Sequence, residues 1–130
     1  MGDLSAHFSW WEFESSDGER MPTMARLAVE RELVPALEIL RETLRGVPLT
    51  IRSGYRSMEA NRRAGGARKS QHRKGRAADI ICPAGMTSDE LAGIIGALIG
   101  LGAIPEGGIG LYHGRVHYDV RGKRARWDVR

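Results

Sequence analysis

The sequence predicts an α+β fold in which helices pack on one side of a small, mostly antiparallel sheet. Three observations carry this. Apolar residues recur at close to helical spacing from Met24 to Arg45, and again from Leu91 to Ile99. Ala77 to Ile81 is a short apolar run suited to a buried strand. Ile109 to Tyr112 and Arg115 to Arg121 read as two strands joined by a tight turn at His113-Gly114, where glycine accepts the positive φ that hairpin turns demand. At 130 residues the chain fits one domain, and 42% hydrophobic residues suffice to bury a core without disulfides.

Taken in order, residues 1–22 are irregular and rich in aromatics. Phe8, Trp10, Trp11 and Phe13 are expected to wrap the core, and the polar turn SSDGERMP ends the segment. Leu27, Val34, Leu37, Leu40 and Leu44 then mark one helical face. Pro35 lacks an amide donor and crowds the preceding turn, so a kink is expected there, or a second helix starting near it. Gly46 and Pro48 stop the run. Leu49-Thr50-Ile51 reads as a short strand leading into SGYRS, and Ser57 to Ala64 as a short helix. Thr87-Ser88-Asp89-Glu90 is a capping box, which opens a helix ending at the glycines around Gly100 and Gly102. There is no internal repeat and no low-complexity segment.

Composition narrows the function classes. The formal net charge is +4, which suits an anionic partner. The densest basic run, Arg62 to Arg76, holds seven Arg or Lys in fifteen residues. No helix-turn-helix, zinc-finger or aromatic-interleaved strand signature accompanies it, which argues against a nucleic-acid interface and leaves a solvated basic loop as the plain reading. No apolar run approaches the roughly 18 residues that span a membrane. The N-terminus lacks a basic stretch followed by an apolar one, so no signal peptide is expected. With Cys82 as the single cysteine, no intramolecular disulfide and no Cys-based zinc module can form. Any metal must be held by carboxylates and the four histidines, His7, His72, His113 and His117.

Strand parity then picks out candidates. Side chains alternate faces, so Val116, Tyr118 and Val120 share a core face while Arg115, His117 and Asp119 share the other. An ordinary surface strand would show the same alternation. In the segment SQHRKGRAADI, His72 lies in a Gly-containing loop and Asp79 follows in an apolar strand. A carboxylate there is costly to bury unless it is paired or bound to a metal, and nearby arginines offer one such pairing. Taken together, His72, Asp79 and His117 make the two-His, one-carboxylate set of a catalytic zinc site, with a fourth position left open.

The same residues carry a family resemblance. Ser70-Gln71-His72-Arg73-Lys74-Gly75-Arg76-Ala77-Ala78-Asp79 resembles the signature of the D-alanyl-D-alanine zinc peptidases. These include the vancomycin-resistance D,D-dipeptidases, zinc D,D-carboxypeptidases and phage endolysin peptidases. SGYRS at Ser53 to Ser57 is similar to the family segment whose arginine faces substrate. The ending GGIGLY…VHYDVRGKRARW resembles a small, single-domain, phage-associated branch. The resemblance runs from Phe8 to Trp127.

It implies one zinc per chain, held by His72, Asp79 and His117, and hydrolysis of peptide bonds in peptidoglycan stem peptides or cross-links. A D,D-carboxypeptidase and a murein endopeptidase both fit. Arg56 is implied to bind a substrate carboxylate or carbonyl, a role suited to the guanidinium fork, against a purely structural tie of SGYRS to a neighbouring loop. Ser70 either meets substrate or shapes its loop. The chain departs from the family in one respect. Many relatives place the catalytic base two or three residues before the last zinc histidine, where this sequence has Arg115 and Gly114. Asp119, on the His117 face, is the substitute expected, with His113 as the alternative base. Asp119 orienting an imidazole is the competing role. A non-catalytic zinc- or cell-wall-binding module and a basic nucleic-acid-binding domain are the other classes. Without a signal peptide, the protein is expected to be made in the cytoplasm and to reach the wall by another route, such as phage or prophage lysis.

Overall fold

The computed structural model describes residues 2–130; Met1, at the start of the irregular N-terminal segment, lies outside the described residues. A 3-10 turn at Trp10–Phe13 precedes helix α1 (Thr23–Ala28), which passes through a π-helical turn (Val29–Leu33) into α2 (Val34–Thr43). Strand β1 (Thr50–Ser53) and helix α3 (Met58–Arg63) follow, then a 3-10 turn at Gln71–Lys74 and strand β2 (Ala77–Ile81). Helix α4 (Ser88–Gly100) leads into strands β3 (Gly108–Tyr112), β4 (Arg115–Asp119) and β5 (Ala125–Asp128). This is the α+β architecture expected.

The break expected at Pro35 takes the form of a register change. The Val34 amide bonds to the Val29 carbonyl, five residues back, and the backbone stays helical through Ala28, Leu33 and Val34. Pro35 thereby falls in the first turn of α2, where a missing amide donor costs least. Helix α4 opens on the expected capping box: the Thr87 hydroxyl accepts from the Glu90 amide, and the Glu90 carboxylate accepts from the Thr87 amide. Ser57 caps α3 by accepting from the Ala60 amide.

The sheet runs β1-β2-β4-β3-β5. Its first three pairings are antiparallel, and β5 lies parallel to β3 at the edge. The β4 parity holds: Val116, Tyr118 and Val120 join Ile80, Leu37, Leu40, Leu91 and Ile95 in one contiguous apolar cluster. Of the N-terminal aromatics, Phe8 and Phe13 are buried in it and meet edge to face. Trp10 packs at its margin, with the Arg26 guanidinium 4.1 Å from the ring centroid. Trp11 does not wrap the core; it is 74% exposed.

Two pairings position the site residues. Asp79 on β2 stands opposite His117 on β4, and Ser53 at the irregular end of β1 stands opposite Asp79. The loop carrying His72 is pinned to α1 at Gly75. Its φ is +70°, and a Cβ there would sit 2.4 Å from the Ala25 carbonyl oxygen. Gly75→Ala should therefore lose about 2 kcal/mol or more of stability, since a left-handed non-glycine residue alone costs roughly 1–2. Gly93→Ala, within α4 and with nothing within 4 Å of its Cβ, should instead gain about 0.5–1 kcal/mol. Denaturant midpoints of the two variants, measured together, check both signs.

Candidate metal centre

The site begins with the two central antiparallel strands. Because Asp79 and His117 are directly paired across β2 and β4, their side chains rise from one face of the sheet as neighbours. His72 is delivered from the 3-10 turn just before β2, where the Ser70 hydroxyl accepts from the His72 amide. His72, Asp79 and His117 are all buried, and each offers one ligand atom such that the three atoms lie within 4.8 Å of one another. The Asp79 Oδ1 lies 3.3 Å from His72 Nε2 and 3.3 Å from His117 Nδ1.

Each of these groups is held from behind. His72 Nδ1 sits 2.7 Å from the Gly54 carbonyl oxygen, which makes Nδ1 the protonated nitrogen and leaves Nε2 facing Asp79. His117 Nε2 donates to Asp119 Oδ2 at 2.6 Å, leaving Nδ1 facing Asp79. Asp79 Oδ2 accepts from an Arg56 amino group at 2.9 Å. The SGYRS segment thus supports two of the three residues at once. It is fastened to the His72 turn by the Arg56 amide, which donates to the His72 carbonyl at 3.0 Å.

The electrostatics follow from these contacts. Burial pushes the Asp79 carboxyl up, but hydrogen bonds from His117 and His72 outweigh it and hold its pKa well below the usual carboxylate range. The same opposition acts on Asp119: burial raises it, while His117, Arg121 and the Gly108 amide lower it further. Burial pushes the His117 imidazole down, yet Asp119 and Asp79 together raise it above its ordinary value.

Of the other candidates, Arg56 is turned inward as well as toward the cleft. Its Nε donates to the Ser53 hydroxyl at 3.0 Å, and its second amino group makes only a 3.5 Å contact with Asn61. Asp119 is fully buried. Its Oδ1 accepts from the Gly108 amide, the Arg121 amide and Arg121 Nε, and its Oδ2 from Arg121 and His117. It therefore meets His117 on the ring nitrogen opposite the one facing Asp79. His113 is exposed in the β3–β4 turn and does not line the cleft. His7 is remote, its Nδ1 paired with Glu38. The basic run is partly answered by acids: Arg62 and Arg63 pair with Glu59, and Arg76 with Glu32.

A cleft of about 410 Å³ opens over His72, Asp79 and His117. Sequence reasoning missed several of its walls. Trp127 on β5 tilts against His117, with ring centroids 4.9 Å apart, and donates from its indole nitrogen to the Tyr112 hydroxyl at 3.1 Å. It can lie there only because Gly110 has no side chain; a Cβ would stand 2.3 Å from the indole nitrogen. Arg121 was legible in principle, since the alternation through Arg115, His117 and Asp119 runs on to it. Trp127 carried no such signal, because ARWD is short, charged and at the sheet edge.

Removing Asp119 would leave the buried His117 Nε2–H without an acceptor, while the Arg121 guanidinium, about a third exposed, would turn to water. Asp119→Ala should destabilise the metal-free protein by roughly 1–3 kcal/mol, the usual cost of leaving a buried donor unmatched. Chemical denaturation in the presence of a chelator measures it, and a loss under 1 kcal/mol would be inconsistent with the pairing described.

A search of curated proteins finds no match to the chain. A protein-family model described as Peptidase M15 matches residues 6–119, which takes in the His72 turn, the whole of β2 and β4, and all three converging residues. On that match the chain belongs to the Peptidase M15 family of zinc metallopeptidases.

Proposed function

We propose that the protein is a zinc-dependent hydrolase of peptidoglycan peptides, binding one ion per chain through His72, Asp79 and His117. The observation that carries this reading is the convergence of two imidazole nitrogens and a carboxylate oxygen, each fixed from behind, at the base of a cleft. Two nitrogens and one oxygen are a donor set that zinc accepts, with a coordination position left for substrate chemistry. When bound, zinc supplies a Lewis acid that polarises a carbonyl and acidifies water.

The chain's own residues set the stage for that chemistry. Asp119 accepts from His117 Nε2, and the Gly54 carbonyl accepts from His72 Nδ1, so the nitrogens that face Asp79 are the ones left to a metal. Arg56 fixes Asp79 through one amino group. Its other amino group, with only the long contact to Asn61, is available to a substrate carbonyl or carboxylate oxygen. Ser70 shapes the His72 turn through its bond to the His72 amide. We assign Asp119 to orienting His117 rather than to the base role, because both its oxygens are engaged and it lies behind the imidazole. His113 as base has less support still, standing exposed outside the cleft walls.

A peptidoglycan target suits the cleft's charge. Lys69, Arg115 and Arg121 line it, and Asp79 is its sole acidic wall among the described residues. Stem peptides carry free carboxylates. That same shortage of acids favours a second reading, a zinc- and wall-binding module without turnover. Among the described residues, no helix is long and apolar enough to cross a membrane.

Mass spectrometry of fragments released from purified peptidoglycan, with and without a chelator, separates the two readings and identifies the bond cut. Chelator-sensitive peptide products are expected; stoichiometric zinc without any product would select the binding module. Metal uptake should also raise stability, by about 4 kcal/mol at a thousandfold excess over Kd, and His72→Ala should abolish that gain. Asp119→Asn should weaken zinc affinity by about 10–100-fold yet stay within about 10-fold of the parent kcat at saturating metal. A loss of about 100-fold or more in kcat with zinc retained would restore Asp119 as the base.

A further inference from the structure

Three arginines line the cleft, and they differ in how their charge is answered. Arg56 is paired with Asp79, and Arg121 with Asp119. Arg115, half-buried on the same face of β4 as His117, has no carboxylate partner among the described residues. Its Nε is buried and makes no hydrogen bond among the described residues. What it does have is a platform: its guanidinium carbon lies 4.6 Å from the centroid of the Tyr112 ring, its cross-strand partner on β3. Stacking fixes the plane of the guanidinium without consuming its donors. Tyr112 is itself held by the bond from Trp127.

A second unanswered group lines the same cleft. Gln71, the residue before His72 in the 3-10 turn, has a buried side-chain oxygen with no hydrogen-bond partner among the described residues. A buried donor or acceptor left unmade is costly, so each of these groups calls for a partner, whether ordered water or a ligand. One is a cation with planar donors, the other an acceptor. Together they complement a carboxylate and an amide N–H.

We propose that Arg115 and Gln71 are the specificity-determining residues of the cleft, recognising a free carboxylate and a neighbouring peptide N–H of the substrate. This rests on the peptidase reading of the site. It assigns the carboxylate to Arg115, whose fork is free, and leaves Arg56 to hold Asp79 and meet a substrate oxygen with its remaining amino group. The position two residues before His117 therefore serves recognition in this chain. The carboxylate belongs either to the C-terminus of the peptide or to an acidic side chain, and the two are separable by experiment.

Three N-acetylated tripeptides serve as probes: one with only a C-terminal carboxylate, one with only a side-chain carboxylate, and one fully amidated. Calorimetry with the zinc-reconstituted protein gives binding, and chromatography of the same samples gives KM and kcat where cleavage occurs. One of the two acids should bind about 10–100-fold tighter than the amide, in keeping with a charge-assisted bidentate contact. Whichever acid binds names the source of the carboxylate. Arg115→Gln should erase that preference by raising Kd and KM for the acid, with zinc content and kcat within a few-fold of the parent. Gln71→Met should weaken acid and amide alike by a few-fold, because the N–H is common to both. A parent protein that does not distinguish acid from amide, or an Arg115→Gln variant that still does, overturns the inference. Binding without cleavage of any probe counts against the hydrolase reading and leaves the recognition result standing on calorimetry alone.

Discussion

Everything in the site turns on one buried charge, the Asp79 carboxylate. A lone carboxylate in an apolar strand would be too costly to keep ionised, and the surrounding structure answers that cost from three directions. His72 and His117 approach one oxygen, and Arg56 takes the other. Each of those partners is tied in turn to backbone or to a second side chain: His72 to Gly54, His117 to Asp119, Arg56 to Ser53. The result is a connected polar network on the sheet face opposite the apolar core. A gap anywhere in it would leave a buried group unmatched, so its members constrain one another more tightly than any single contact would.

The sheet makes such a network geometrically feasible. Direct pairing of Asp79 with His117, and of Ser53 with Asp79, sets three strands in the register the side chains need. The opposite faces of the same strands carry Ile80, Val116 and Tyr118 into the core. A one-residue slip of β4 would bury Arg115 in that core and lift Val116 into the cleft, so hydrophobic burial and site geometry select the same register. Gly108 and Gly110 serve this arrangement from β3. The first brings its amide against Asp119, and the second leaves the space in which Trp127 covers His117.

What could be read from the sequence was whatever depended on local pattern. Strand β2 is the apolar run Ala77–Ile81, α4 starts at its capping box, and the alternation along β4 separates core from site. The same alternation put Asp119 beside His117, and its partners became visible only in three dimensions, where Arg121 and the Gly108 amide occupy its oxygens. Arg56 was legible as a site residue through SGYRS, while its bond to Asp79, 23 residues on, became visible only in three dimensions. Strand β5 went unseen because its pairing is with β3, a parallel partner supplied by the rest of the fold. Pro35 signalled a disturbance, but whether the chain breaks or shifts to a π turn is decided by packing around Val29 and Leu33, both fully buried.

The pairing of Asp79 with His117 has a kinetic side. The two residues are separated in the chain by the whole of α4 and β3, so bringing them together means closing a long loop before any contact compensates for the lost chain entropy. Helices α2 and α4 and the β3–β4 hairpin draw on near neighbours and can form early; the β2–β4 seam is the most non-local strand pairing and forms with the overall topology. A chain with only helix and hairpin formed would therefore still lack the three converging side chains. In this protein, capture of a metal ion would mark the end of the folding pathway rather than its beginning.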